Sequence, residues 1–222
     1  SWRFRTIDNP FINKEEILEA KRTLPEVIFR QEYMAEYISD AGSVFRNVDN
    51  CVKNIDSLPQ ENHLYIMGVD IAKLQDFTVI IVGEFVDNKI DWSFQKSRII
   101  NMAKKWNNAK IIIDSTGVGD GIFEDISKMY HNIRPFKIKS NIVKNQLIEN
   151  LAIALENEEI YFPDIPELIN ELKIFSFERS EVSGRTIYNA PSGYHDDCVI
   201  ALAFCWSNKH LGMSREHITY VA

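Results

Sequence analysis

The hydrophobic pattern changes period along the chain. Near the start it is helical: Asn13 followed by Glu16 has the form of a capping box ahead of Ile17, Leu18 and Ala20. Pro25 opens a second helix through Val27, Ile28, Phe29, Tyr33 and Met34. Residues 38–60 show no period, carry Gly42 and Pro59, and read as an irregular linker. Strand-like blocks follow. Residues 64–71 form an apolar run containing Gly68-Val69-Asp70, and residues 77–85 are rich in β-branched side chains. Val86-Asp87-Asn88-Lys89 supplies a hairpin turn into a third strand at residues 90–95. Three strands joined in this way predict an antiparallel meander.

Beyond it, helical and extended patterns alternate. Helices are expected over 98–106, 119–130, 141–155, 166–173 and 195–207, with strands at 110–114 and 134–138. A short extended piece is expected at 160–162. Residues 174–180 and 185–190 alternate around Ser183-Gly184, a second hairpin signal. This order predicts an α/β fold with a mixed sheet and helices on both faces.

Composition adds bounds. The 222 residues, 45% of them hydrophobic, suffice for one sizeable core plus an appendage, divided here into 1–60 and 61–222. No apolar run approaches membrane-spanning length and no signal-peptide pattern is present, so no membrane partner is expected and the cytoplasm is the default. The chain begins at Ser1 rather than Met, which suits a piece of a longer protein. Cys51, Cys198 and Cys205 are odd in number, and the last two lie in an apolar helical stretch as core residues rather than ligands. The net charge of −7 is unusual for a duplex-DNA binder. Locally, Arg134, Lys137, Lys139 and Lys144 form a run with no acid between them, which is either a solvated face or a phosphate track. Net charge therefore neither establishes nor excludes DNA.

Three acidic positions stand out. Asp70 lies within an apolar strand, Asp114 ends Ile111-Ile112-Ile113, and Asp196-Asp197 precede the apolar last helix. Ligands gather at the carboxyl ends of strands in α/β sheets. Buried carboxylates repel one another unless protons or cations neutralise them, and Mg²⁺ or Mn²⁺ prefers such oxygen ligands. Two ions together can stabilise both the attacking and the leaving oxygen of a phosphodiester. In that arrangement Asp70 bridges the ions, Asp114 holds one, Asp197 or Asp196 holds the other, and water is the nucleophile. Taken singly, Asp196 is equally a helix cap and Asp114 the start of a turn. Asp76 is either a further metal ligand or a turn residue. His195 either donates a proton or contacts a phosphate, or is simply a polar residue at a helix start. Thr116-Gly117-Val118-Gly119 could cradle a phosphate but is not a Walker A loop. Arg179 and Arg185 flank the Gly184 hairpin and either touch a DNA backbone or are ordinary surface charges.

Several of these motifs occur together in one family. MGVDIAKLQDFTVIIVGEF, IIIDSTGVGDGIFEDI and GYHDDCVIALAFCW resemble the three acidic motifs of the nuclease domain in large terminase subunits of tailed double-stranded DNA phages. The stretch from NPFINKEEI through FRQEYMAEYISDAGSVF is similar to the segment joining that family's ATPase to its nuclease. The resemblance implies an RNase H-like fold, two divalent metal ions, and cleavage of concatemeric viral DNA with little sequence preference during packaging. It implies catalytic acids at Asp70, Asp114 and the Asp196-Asp197 pair, Asp197 foremost. Its partners would be double-stranded DNA, a portal protein and a small terminase subunit, in the cytoplasm of an infected bacterium. With no Walker A present, the ATPase domain is expected to lie outside this chain. Two rival readings share the acidic first strand or the amphipathic helices: an actin-like ATPase or sugar kinase, and a non-catalytic docking module of the motor.

Overall fold

A computed structural model describes residues 4–36, 43–54, 58–71, 78–81, 84–86, 92–117, 119–179 and 186–211. A five-stranded sheet forms the centre. Its strands are β1 (Ile66–Asp70), β2 (Thr78–Ile81), β3 (Glu84–Val86), β4 (Lys110–Asp114) and β5 (Ile133–Phe136), in the order β3-β2-β1-β4-β5. β1 runs parallel to β4, and β4 to β5, whereas β1–β2 and β2–β3 pair antiparallel. The sheet is therefore mixed.

The meander expected over 64–71, 77–85 and 90–95 does not form with those strands. Residues 77–85 supply parts of two strands, β2 and β3, rather than one. The expected third strand is instead the start of helix α4 (Trp92–Lys105). Buried Gln95, Ile99, Met102, Ala103 and Trp106 recur three or four residues apart, and this longer period outweighs a brief alternation at 90–95. The hairpin turn expected at 86–89 lies, apart from Val86, outside the described residues.

Alternation along β1 and β4 divides the core into two layers. Met67, Val69, Ile111 and Ile113 face α4 and α5 (Gly119–Met129), packing with Ile99, Ala103, Trp106, Ile122 and Ile126. Gly68 and Ile112 face the other way, toward α6 (Asn141–Glu156), α7 (Pro166–Ile174) and α8 (Asp197–Ser207). Helix α8 is apolar all round because the sheet, α6 and α7 enclose it. Val199, Leu202 and Phe204 are fully buried, each burial stabilising by roughly 1.5–3 kcal/mol. A Cβ at Gly68 would lie 2.0 Å from the Ala201 carbonyl oxygen, so only glycine lets α8 ride this close to β1. The Gly68 N–H also donates to Cys205 Sγ at 2.9 Å.

A two-stranded ladder, β6 (Ser176–Arg179) with β7 (Thr186–Asn189), lies beside α6. Asn145 of α6 donates to the Thr186 carbonyl, and the Tyr188 hydroxyl donates to Glu149. At the amino end, Asn13 caps α1 (Lys14–Thr23), and α2 (Glu26–Glu32) follows Pro25. These two helices share a small core of Ile17, Ala20 and Phe29. Residues 43–52, within the stretch read as an irregular linker, instead pack into the main core. There α3 (Val48–Cys51) forms, Val44, Phe45, Val48 and Cys51 are buried, and Val52 bridges Phe162. Val44 and Phe45, then Val48, then Cys51 recur three or four residues on, a signal short enough to be masked by its polar neighbours.

Candidate active site

Alternation and register bring the first two acids together. Val69 pairs with Ile113 across the parallel β1–β4 ladder, so Asp70 and Asp114 end neighbouring strands at the same edge. Both follow the even-numbered positions, Gly68 and Ile112, on the face that α8 covers. The third acidic group enters from α8, whose first residue is Asp197. The carboxyl of Asp70 is held well above the ordinary range, first by burial and then by the fields of Asp197, Asp114 and Asp196. Four carboxylates from two strand ends and one helix start therefore bear on a single point.

Their individual settings differ. Asp114 Oδ1 accepts the Thr116 N–H at 2.8 Å, a bond that closes the turn after β4 and leaves Oδ2 outside it. Asp197 is only 8% exposed, and its Oδ2 lies 3.8 Å from His195 Nδ1. Asp196 Oδ2 is paired with Lys144 Nζ at 2.8 Å, and the same ammonium donates to Asn189 Oδ1 at 2.9 Å. Asp196 stands at the N-cap of α8, yet its side chain makes no capping bond. Glu171 of α7 does so instead, accepting the N–H of Cys198 at 2.8 Å and of Val199 at 3.4 Å. Burial raises the Glu171 carboxyl above its ordinary value, and the bonds from α8 oppose that shift. Among the described residues, no three His, Cys, Asp or Glu side chains already enclose a metal-sized position.

Residues 67–208 match the Terminase RNaseH-like domain family. The chain belongs to this family. It is 32% identical over 216 residues to the large terminase subunit of Thermus virus P23-45, covering 87% of this chain and 44% of that protein. It thus spans less than half the length of that relative. The large terminase nuclease of thermophilic phage G20c superimposes with a TM-score of 0.67 at 29% identity, over 75% of this chain and 98% of that one. The nuclease domain of Thermus phage P74-26 gives a TM-score of 0.66 at 26% identity, over 81% and 99% of the two chains. The fold is RNase H-like.

The remaining expected site residues of this terminase domain are distributed unevenly. Lys137 and Lys139 follow β5, at the same carboxyl edge as Asp70 and Asp114; both are exposed, and Lys137 pairs with Asp120 at 2.8 Å. Lys144, read as part of that basic run, is turned inward onto Asp196. Asp76 and Arg185 lie outside the described residues, and only the backbone of Arg179 is described, as the last residue of β6. The 116–119 loop shows no phosphate cradle among its described residues. The Thr116, Gly119 and Asp120 N–H groups are bonded to Asp114 Oδ1, the Thr116 carbonyl and the Gly117 carbonyl.

Glu171 and Asn189 were not anticipated from sequence. Glu171 had a readable signal: it stands three residues after Leu168 and one before Leu172, on the apolar stripe of its helix. No helix among the described residues is long and apolar enough to cross a membrane.

Proposed function

We propose that this domain is a metal-dependent endonuclease that cuts concatemeric viral double-stranded DNA during genome packaging, with little sequence preference. The observation that carries the reading is the convergence of Asp70, Asp114 and the Asp196–Asp197 pair on one sheet edge. Their donors are all carboxylate oxygens, the set that Mg²⁺ or Mn²⁺ prefers. A cation is also the natural counterweight to the burial and the neighbouring acids that together lift the Asp70 carboxyl. The related G20c nuclease has been seen with bound magnesium and with bound cobalt, which supports a divalent metal here.

Two such ions would supply charge stabilisation to the attacking and leaving oxygens of a phosphodiester. Asp70, Asp114 and Asp197 are the residues that would hold them, Asp70 being the acid whose carboxyl feels all the others. Asp196 is held back by Lys144. His195, 3.8 Å from Asp197 Oδ2, would meet a phosphate or hand a proton to a leaving oxygen. Lys137 and Lys139 follow the DNA backbone along the same edge, with Arg179 and Arg185 of the hairpin as further contacts. The packaging role brings a portal protein and a small terminase subunit as partners, in the cytoplasm of the infected host. Residues 1–60 would be the segment that follows an ATPase domain, with its 43–52 part packed into the core of the nuclease at 61–222. The internally bonded loop after β4 disfavours the actin-like ATPase or kinase alternative.

Digestion of supercoiled plasmid with Mn²⁺, Mg²⁺ or EDTA tests the proposal, with wild-type protein beside Asp70→Ala and Asp114→Ala. Nicking and linearisation are expected with metal only. They should fall by at least about 100-fold in each variant, the scale on which a principal electrostatic contact is lost. Cleavage that survives both substitutions would refute this site. A folded wild-type protein inert with every metal would favour the docking reading.

A further inference from the structure

We infer that Glu171 is a positioning residue for the acidic pair: by capping α8 from the neighbouring helix, it keeps Asp196 on Lys144 and Asp197 turned toward the site. The inference rests on the nuclease reading above. The start of α8 presents the N–H groups of Cys198 and Val199, at the second and third helical positions. These are the groups that an N-cap side chain ordinarily satisfies. Both residues are buried, at 1% and 0% exposure, so water is a poor substitute for a side-chain partner there. Aspartate is among the preferred N-cap residues, and Asp196 occupies the N-cap position, yet its carboxylate is not on those groups. It points to Lys144 instead. Glu171 Oε2 fills the vacancy from α7, reaching both N–H groups with one oxygen. Its helix is fixed by Leu168 and Leu172, which are 1% and 0% exposed, so the acceptor is delivered from a rigid support.

Without that acceptor, the two buried donors become the strongest nearby attraction for an adjacent carboxylate. Asp196 rotates inward to cap its own helix and leaves Lys144, while Asp197 loses its fixed direction at the first turn. Supports of this kind, acting on a metal ligand through its backbone, typically change metal affinity by about 10–100-fold.

The test titrates Mn²⁺ calorimetrically into wild-type protein, Glu171→Ala, Glu171→Gln and Asp70→Ala, with thermal unfolding as the check on folding. Glu171→Ala is expected to bind Mn²⁺ about 10-fold more weakly. Glu171→Gln retains an amide oxygen as acceptor and should recover most of the affinity. In plasmid cleavage, Glu171→Ala should lower kcat with little change in KM for DNA. A crystal structure of that variant should show the Asp196 carboxylate on the Cys198 or Val199 N–H. If Glu171→Ala does not fold, Glu171→Asp, which withdraws the acceptor by one methylene, carries the same expectation. A folded Glu171→Ala with wild-type Mn²⁺ affinity overturns the inference, as does Glu171→Gln binding as weakly as Glu171→Ala. Failure of the nuclease reading shows separately, as Mn²⁺ affinity unchanged by Asp70→Ala, and would remove this inference with it.

Discussion

Helix α1 begins at Asn13, whose exposed side chain accepts the Glu15 N–H at 3.0 Å, whereas α8 begins at Asp196, whose side chain caps nothing. Both starts have the same appearance in sequence, a polar residue ahead of an apolar run. At the surface, one residue and water settle the unsatisfied N–H groups of a helix. In the interior water is excluded, so the donors of α8 draw their partner from another helix, and the residue that would have capped locally is released. The start of α8 takes its cap from Glu171 and leaves its own acid to Lys144, beside two strand-end acids.

The contrast can be broken most forcefully at Gly68. A methyl there would sit 2.0 Å from the Ala201 backbone oxygen, so α8 must lift off β1. Gly68→Ala is expected to cost roughly 3 kcal/mol, the upper end of ordinary overpacking, in urea unfolding. An unchanged midpoint would mean that the buried helix start is not seated as described. An equivalent substitution on the surface of α1 should do far less.

A smaller effect concerns pH. In the unfolded chain the Asp70 carboxyl titrates in the ordinary range; in the folded protein burial and three neighbouring acids raise it. Between those two points the native state holds the proton more tightly. Stability of the metal-free protein is therefore full below the ordinary carboxylate range and falls as pH climbs through the raised value. Asp70→Asn cannot ionise, so in EDTA its Tm should exceed that of wild type at neutral pH, with the difference vanishing in acid. Glu149, Glu156 and Glu171 are also raised by burial, which is why the difference between the two proteins, not either curve, is informative. A gap that widens on acidification would contradict the site's electrostatics.

The smallest effect sharpens the other side of the comparison. Asn13→Ala removes a local cap and should cost about 1 kcal/mol. Plasmid cleavage and Mn²⁺ affinity should be unaffected. A loss of cleavage there would tie the leading helices to the site more closely than their separate small core implies.

Much of the candidate site was legible because acids interrupt apolar runs. Asp70, Asp114 and Asp197 each stand where burial makes a carboxylate costly, and such positions can be recognised one by one. Lys144 was legible only as one of four cations in a row, and its partner Asp196 lies 52 residues away. Glu171 is 27 and 28 residues from the two N–H groups it satisfies, so no local pattern names its partners. The start of α4 was misplaced because a short alternation at 90–95 looked extended until the longer helical period was counted.

The amino-acid sequence by itself determined where most helices and strands lie and which residues are chemically out of place, since periodicity and the cost of an acid in apolar surroundings are local properties. Tertiary structure alone decided which acids share a point, that Lys144 faces inward, and that a distant glutamate caps α8. Those outcomes depend on strand register, on the close approach permitted at Gly68, and on donors that burial leaves without water. Each of these exists only once distant segments have packed.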